Sequence, residues 1–450
     1  MRADLGRILG DEHVLDPAAP YLDDASAASG VRGRADVVVR PGNAEEVARV
    51  VAWAYDRGVA VVPRGGGTGY AGGAVPLDGG VVLALERLRT VRSFDPLLWR
   101  MEAEAGVTTS TVARLARENG LLYPPDPGAA ESSQIGGNAA TNAGGPHAFK
   151  YGVTGAWITG LEAVVAPGEL VRLGGAVRKD VAGYDLRSLL IGSEGTLGVI
   201  TAVWLRLIPA PEAALPLAAS FADAREGGEA IAAIMGSGVV PAAIEYLDAG
   251  TVGAAAATFP GPLDDERRFL LLVEADGSRA EAEHVLAELR EVLGDAVVHA
   301  PAAPADVRVF WEWRSAVSHA VTAKRGGKLS EDVAVPVDRL ADAIEETVEI
   351  GARHGLEACS WGHAGDGNLH STFLLDPGDE EQRRRAHAAA DELFAMAVRL
   401  GGTVSGEHGL GLLKNGQLSR QWAPAAVAMH RSVKEALDPK GLLNPGKKLP

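Results

Sequence analysis

The chain has 450 residues, 47% hydrophobic and 23% charged, with a formal net charge of −16. That length calls for two or three domains rather than one core, and the acidic balance argues against a nucleic-acid partner or an anionic membrane surface. The single cysteine, Cys359, excludes an intrachain disulfide and a cysteine-ligated iron–sulfur cluster of the chain's own.

Met1-Arg2-Ala3-Asp4-Leu5 opens no apolar signal region, and no run of 18 apolar residues occurs. The expectation is a cytoplasmic protein without a transmembrane segment, any membrane contact being peripheral and through a partner. In chain order, Asp36–Val39 reads as a strand, and Asn43 caps a helix over Ala44–Arg57 with an apolar stripe of Val47, Val50, Val51 and Ala54. A strand at Val59–Val62 leads into a glycine-rich stretch, and Val81–Leu85 is strand-like again. Thr108–Asn119 reads as an amphipathic helix ended by Gly120, followed by strands at Leu161–Ala166 and Leu197–Leu207.

Beyond residue 209 the texture changes. Ala-rich helices are expected over Ala222–Met235, Ala280–Leu293, Val337–His354 and Asp379–Leu400. They alternate with strands at Phe269–Ala275, Asp332–Val335, Glu357–Trp361 and Leu369–Leu374. This is an α+β pattern with an antiparallel sheet. The expected domains are 1–208, 209–410 and a tail over 411–450 with a helix near Ala425–Leu437.

Gly65, Gly66, Gly67 and Gly69 crowd into one loop after Val61-Val62-Pro63-Arg64. Glycines let several backbone N–H groups converge on one anion, and Arg64 adds a charged donor. Gly67-Thr68-Gly69-Tyr70-Ala71-Gly72 matches G-x-G-x-x-G, but Gly73, Pro76, Gly79 and Gly80 follow where a helix should open, so neither a Rossmann fingerprint nor a P-loop fits. Further glycine-rich regions lie at Tyr123–Gly128, Ile135–Gly145 and Ile191–Ile200. Such repetition in the first half points to one long ligand touching backbone at many points, with FAD outside a Rossmann fold favoured. A glycine-rich surface loop without a ligand is the bland alternative.

On Pro63–Gly73, Ser133–Gly145, Asp180–Thr201, Gly362–His370 and Gly406–Lys414 the chain resembles the vanillyl-alcohol-oxidase/p-cresol-methylhydroxylase flavoprotein superfamily. Within it, the chain is similar to the branch of FAD-linked D-lactate dehydrogenases, glycolate oxidase flavin subunits and D-2-hydroxyglutarate dehydrogenases. The resemblance implies a bipartite PCMH-type FAD-binding domain and an α+β cap domain with an antiparallel sheet, the tail returning to the FAD domain. It implies that Arg64, Gly65, Gly66, Gly67, Thr68 and Gly69 hold the pyrophosphate. Pro127, Gly136, Gly137, Asn138, Gly144 and Gly145 then lie along the FAD, and Glu194, Gly195, Gly198, Ile200 and Asn444 complete the cofactor site. Covalent members carry a histidine where Thr68 stands, so noncovalent FAD is expected, with His147 the one alternative attachment point.

Gly365-Asp366-Gly367 is turn material, so Gly362–His370 reads as a hairpin that brings His363 and His370 near one another. Gly406-Glu407-His408-Gly409 adds a carboxylate and a third imidazole. Two histidines and one carboxylate suit Zn²⁺ or Mn²⁺, and structural histidines beside turns are the competing reading. His363, His370 and Glu407 resemble the metal ligands of the 2-hydroxyacid branch. His408 is either the base for the substrate hydroxyl or a partner orienting Glu407. In Phe310–Ser318 the resemblance makes Arg314 the clamp on the substrate carboxylate, against an arginine paired with a neighbouring Glu, and Ser318 lies one turn on.

Two positions depart from the 2-hydroxyglutarate enzymes: Ser330 stands for a lysine and Thr372 for an asparagine, with Lys328 close by. Both favour a smaller acid such as lactate or glycolate. The expected activity is FAD-dependent oxidation of a 2-hydroxy acid to the 2-oxo acid, with hydride passing to flavin N5. The electrons go to a quinone, an electron-transferring flavoprotein, an iron–sulfur subunit or O₂, and a homodimer is compatible with this reading. The alternatives are a flavoprotein oxidase of another alcohol and an enzyme like alkyl-glycerone-phosphate synthase.

Overall fold

Helix Ala44–Arg57 shows how local chemistry sets the early elements. Asn43 stands in extended backbone and its side-chain oxygen accepts the Glu46 N–H at 2.8 Å. Gly58, at φ 66°, ends the helix in the left-handed region, and the buried stripe of Val47, Val50, Val51 and Ala54 is the anticipated one. Helix Thr109–Glu118 begins at Thr108, whose hydroxyl accepts the Thr111 N–H, and Gly120 follows it at φ 69°.

The computed structural model describes residues 1–263, 266 and 268–449. The chain divides into two compact units: Met1–Gly144 with Gly152–Ala210 and Glu407–Pro450, and Gly145–Tyr151 with Pro211–Gly406. The first unit has a four-stranded sheet in the order Val14–Leu15, Val37–Val39, Val81–Ala84, Val61–Arg64. Val81–Ala84 pairs in parallel with both neighbours and is buried at every position, as parallel strands covered on both faces are. Residues 65–80 therefore join two parallel strands without a helix, as a run of turns and bends. A second, antiparallel sheet orders Val91–Asp95, Arg100–Glu104, Val199–Arg206, Ile158–Val165 and Glu169–Gly174. The C-terminal stretch packs into this unit: the Val61 N–H donates to Leu442 O and the Asn444 N–H to Val61 O, both at 2.8 Å.

The second unit is built on a seven-stranded antiparallel sheet. Its order is Val297–His299, Ala213–Phe221, Phe269–Gly277, Ala243–Leu247, Ala358–His363, Asn368–Leu375, Gly327–Ala334. Helices Ala224–Ser237, Arg279–Leu293, Leu340–Arg353 and Glu380–Arg399 match the expected helical stretches to within a few residues. The fold is α+β.

Three differences from expectation have physical causes. Ile135–Thr141 is a helix rather than a loop, because Ile135 and Ala139 bury one face while Gly136 meets the Ala105 backbone, where a Cβ would lie 2.4 Å from Ala105 Cβ. Ala213–Phe221 is a strand although it contains Pro216 and many alanines. Val297–His299 pairs with it only at Ala218 and Ala219, so Pro216 sits where the strand is effectively an edge. Strand Ala243–Leu247 carries a glutamate within an apolar run, which hides its alternation. Among the described residues no helix is long and apolar enough to cross a membrane.

Candidate active site

A groove in the first unit is walled by the glycine loop on one side and by helix Ile135–Thr141 on another. Gly65, Gly66, Gly67, Thr68 and Gly69 line it, as do Pro127, Gly136, Gly137, Asn138 and Gly144. The groove holds about 1300 Å³ of space with its open mouth included. A side chain on Gly69 or Gly137 would meet no atom within 4 Å, so their missing Cβ atoms leave open room.

Among the described residues none of the backbone N–H groups of Gly65, Gly66, Gly67, Thr68 and Gly69 donates to a backbone carbonyl. Backbone N–H groups left out of the backbone ladder are what an anion-cradling nest offers. Gly67 is suited to its place by a φ of 68°, in the left-handed region. Arg64 is 8% exposed, ends its strand beneath the loop and donates through Nη1 to Asp23 O at 2.5 Å. Burial pulls its guanidinium pKa down, with Asp24 and Asp23 opposing. An anion is the complement for such a cation.

Glu194, Gly195, Gly198 and Ile200 also line the groove. The Glu194 carboxylate accepts the N–H groups of Leu410 and Gly411, at 2.9 and 2.7 Å, so it ties two loops of this unit together. Asn444 does not line the groove. Its side-chain amide donates to the carbonyls of Gly73 and Glu194, which makes it a fastener for the groove's loops. Gly145 belongs to the second unit. Glu407 and His408 do line the groove, and the His408 ring lies 4.7 Å from that of Tyr70, centroid to centroid.

In the second unit the hairpin forms as the turn residues require. Strand Ala358–His363, a turn over Ala364–Asp366 and strand Asn368–Leu375 place His370 opposite Trp361. His363 and His370 thus lie diagonally on one face of the sheet, with ring centroids 5.3 Å apart and planes perpendicular. Glu245 lies directly opposite His363 on one side of the hairpin, and Asp332 opposite His370 on the other. Both carboxylates are fully buried.

Arg314 lies in helix Pro304–Ala323, within its buried stripe of Phe310, Trp313, Val317 and Val321. Its Nη2 donates to Glu245 Oε2, and the other Glu245 oxygen is 2.5 Å from His363 Nδ1. Burial pushes the Glu245 carboxyl up, but His363 and Arg314 outweigh it and hold it below the usual range. Arg314 Nε is buried with no hydrogen-bond partner among the described residues, an arrangement that calls for a ligand or water. Ser318 Oγ accepts from Lys328 Nζ at 2.5 Å. Burial draws that ammonium down to about 8. The Thr372 hydroxyl is 2.8 Å from that of Ser330, its cross-strand partner. His147 lies 2.9 Å through Nε2 from Glu274 Oε1 in the second unit, a partnership not expected from the sequence.

Residues 210–448 match the family model described as "FAD linked oxidases, C-terminal domain", and residues 35–174 match "FAD binding domain". The chain belongs to the FAD-linked oxidases. This FAD-linked oxidase is 34% identical to the glycolate oxidase subunit GlcD of Bacillus subtilis, over 92% of its own length and 88% of that protein. It is also 34% identical to a D-lactate dehydrogenase of Anaerostipes hadrus, over 98% and 94%. Its fold is shared by 4-ethylphenol oxidase from Gulosibacter chungangensis, with a TM-score of 0.81 at 22% identity, over 99% of this chain and 96% of that one. FAD is the cofactor, and the groove with its donor-rich glycine loop fits a dinucleotide.

The residues that sequence reasoning missed are Glu245 and Tyr70. Tyr70 stands inside the glycine loop itself. Glu245 could have been flagged as a lone carboxylate in an apolar strand, but its partners Arg314 and His363 are remote in sequence.

Proposed function

We propose that this flavoenzyme oxidises a short 2-hydroxy acid, of the D-lactate or glycolate kind, to the 2-oxo acid and passes the electrons to an external acceptor. The observation that carries the acid is Arg314, a buried guanidinium whose Nε–H has no partner among the described residues. Its planar fork suits a carboxylate. Ser318 stands one helical turn on and adds a hydroxyl for the same substrate. The Ser330–Thr372 pair is uncharged and self-satisfied, which favours a substrate without a second carboxylate.

FAD in the groove supplies the hydride acceptor at N5, held noncovalently because Thr68 offers no imidazole. Arg64 and the amides of Gly65–Gly69 would hold its pyrophosphate. By the resemblance His363, His370 and Glu407 are the metal ligands, two imidazoles and a carboxylate, a donor set suited to Zn²⁺ or Mn²⁺. A divalent ion there would polarise the 2-hydroxyl and lower its pKa. With His363 Nδ1 committed to Glu245, that ring would have its Nε2 left to hold an ion. His408, beside the ligand Glu407 and on the groove wall, takes the hydroxyl proton on its imidazole. The chain's one thiol, Cys359, is buried, so the acceptor comes from outside.

The deciding experiment is anaerobic flavin bleaching with a panel of D- and L-2-hydroxy acids, followed by turnover with a dye acceptor. Rapid bleaching by one or more short 2-hydroxy acids is expected. Bleaching by neutral alcohols alone would sink the proposal and favour an oxidase of another alcohol.

A further inference from the structure

In the second unit a single carboxylate, Glu245, holds Arg314 and His363, two side chains on which the proposed reaction depends. Glu245 is 0% exposed, and neither of its oxygens is idle. One faces His363 Nδ1 and the other accepts from Arg314 Nη2. The ladder reinforces this, since Glu245 and His363 are direct cross-strand partners and side chains so placed share one face. Removing such a carboxylate would leave a buried guanidinium without its counter-charge, so the contact is costly to break.

We propose that Glu245 is a positioning residue that fixes Arg314 and His363 at one separation, and that this separation selects acids whose hydroxyl is on carbon 2. The inference rests on the reading given under Proposed function. In a 2-hydroxy acid the carboxylate and the hydroxyl-bearing carbon are directly bonded, whereas a 3-hydroxy acid inserts one more carbon. A guanidinium and an imidazole held by the two oxygens of one carboxylate cannot drift apart to admit that extra carbon. Glu245 also sets the His363 tautomer, with the Nδ1 proton on the carboxylate side, as carboxylates behind metal-ligating histidines do. A carboxylate that only neutralised Arg314 in the core would do neither.

The test uses the full-length, FAD-loaded protein with Glu245→Gln and Glu245→Asp. Glutamine keeps the volume and removes the charge, while aspartate keeps the charge and shortens the reach by one methylene. Zn²⁺ binding is measured by calorimetry on each protein. kcat and KM are measured for the best 2-hydroxy acid of the panel and for its 3-hydroxy homologue. Flavin absorbance and thermal unfolding report folding. Glu245→Gln should keep its flavin, bind Zn²⁺ about 10–100-fold more weakly and raise KM for the 2-hydroxy acid about tenfold or more. Glu245→Asp should narrow the 2-hydroxy over 3-hydroxy preference in kcat/KM about tenfold, because a displacement near 1 Å is felt on that scale. Unchanged Zn²⁺ affinity and KM in a folded Glu245→Gln would overturn the proposal. So would an unchanged preference in Glu245→Asp, which decides the matter if the glutamine variant does not fold. A wild type that neither binds Zn²⁺ nor oxidises any 2-hydroxy acid would instead remove the underlying reading.

Discussion

Arg64 and Arg314 are both buried guanidiniums, yet their surroundings assign them different work. Arg64 donates to the backbone carbonyl of Asp23 and lines the groove with the glycine loop, so it is placed to complement an anion in that groove. Arg64→Ala should lower FAD affinity by on the order of 10–100-fold, since a charge-assisted hydrogen bond contributes about 1.5–3 kcal/mol. Flavin titration of the apoprotein checks this, and unchanged affinity with normal folding would disprove it. Arg314 already has a carboxylate, Glu245, and keeps one donor in reserve. Arg314→Lys should keep the flavin and raise KM for hydroxy acids about tenfold or more, because an ammonium cannot make two parallel contacts. An equal loss with a neutral alcohol substrate would mark Arg314 as structural.

Lys328 makes a third case. Burial holds its ammonium at about 8, below the ordinary 10.5. A lysine with a depressed folded pKa destabilises the fold in its protonated form. The penalty is complete below pH 8 and fades as pH rises towards 10.5. Lys328→Met should therefore stabilise the protein near pH 7, by about 3 kcal/mol at most, with the gain shrinking between pH 8 and pH 10. Urea midpoints of the two proteins across that range test the sign, and a constant difference would refute it.

At the scale of elements, the segment Gly145–Tyr151 belongs to the second unit although both flanking stretches belong to the first. Glu274 pairs with His147, and Asp276 accepts from Lys150 and Tyr151. Two carboxylates of strand Phe269–Gly277 thus hold one short segment. Asp276→Ala should speed hydrogen exchange in residues 145–151 about tenfold or more, as two half-buried partners lose their buried acceptor. Unchanged exchange there would mean the segment is held by packing alone. Elements governed by neighbours in sequence were legible: the Asn43 cap, Gly120 after its helix and the turn that puts His363 beside His370. What could not be read depends on partners brought together by topology. Glu245 meets His363 only because Ala243–Leu247 inserts next to the hairpin in the sheet. Helix Ile135–Thr141 escaped notice because its glycines answer to a close approach on Ala105 rather than to a loop. The Asn444 side chain likewise joins the carbonyls of Gly73 and Glu194, which are remote from it in sequence.

For the whole molecule, the decisive feature is that the glycine-lined groove lies within the first unit, while Arg314, Glu245, His363 and His370 belong to the second. Each unit has its own buried core, one around Val39, Val51 and Leu83 and the other around Leu270, Phe310 and Trp361. Cofactor retention and substrate chemistry should therefore be separable. Chelation of the purified enzyme should abolish reduction of the flavin by hydroxy acids while the flavin spectrum persists, and Zn²⁺ or Mn²⁺ should restore reduction. His363→Ala should behave like the chelated enzyme but resist rescue, since it lacks one imidazole of the donor set. Acid or heat should then release the flavin from the polypeptide, because the groove offers Thr68 where an attachment histidine would be needed. Three measurements settle this: elemental analysis of active protein, stopped-flow flavin reduction before and after metal return, and the filtrate of denatured enzyme. Full activity in metal-free, FAD-loaded protein would remove the ion from the mechanism and leave His363, His370 and His408 as acid–base and hydrogen-bonding groups.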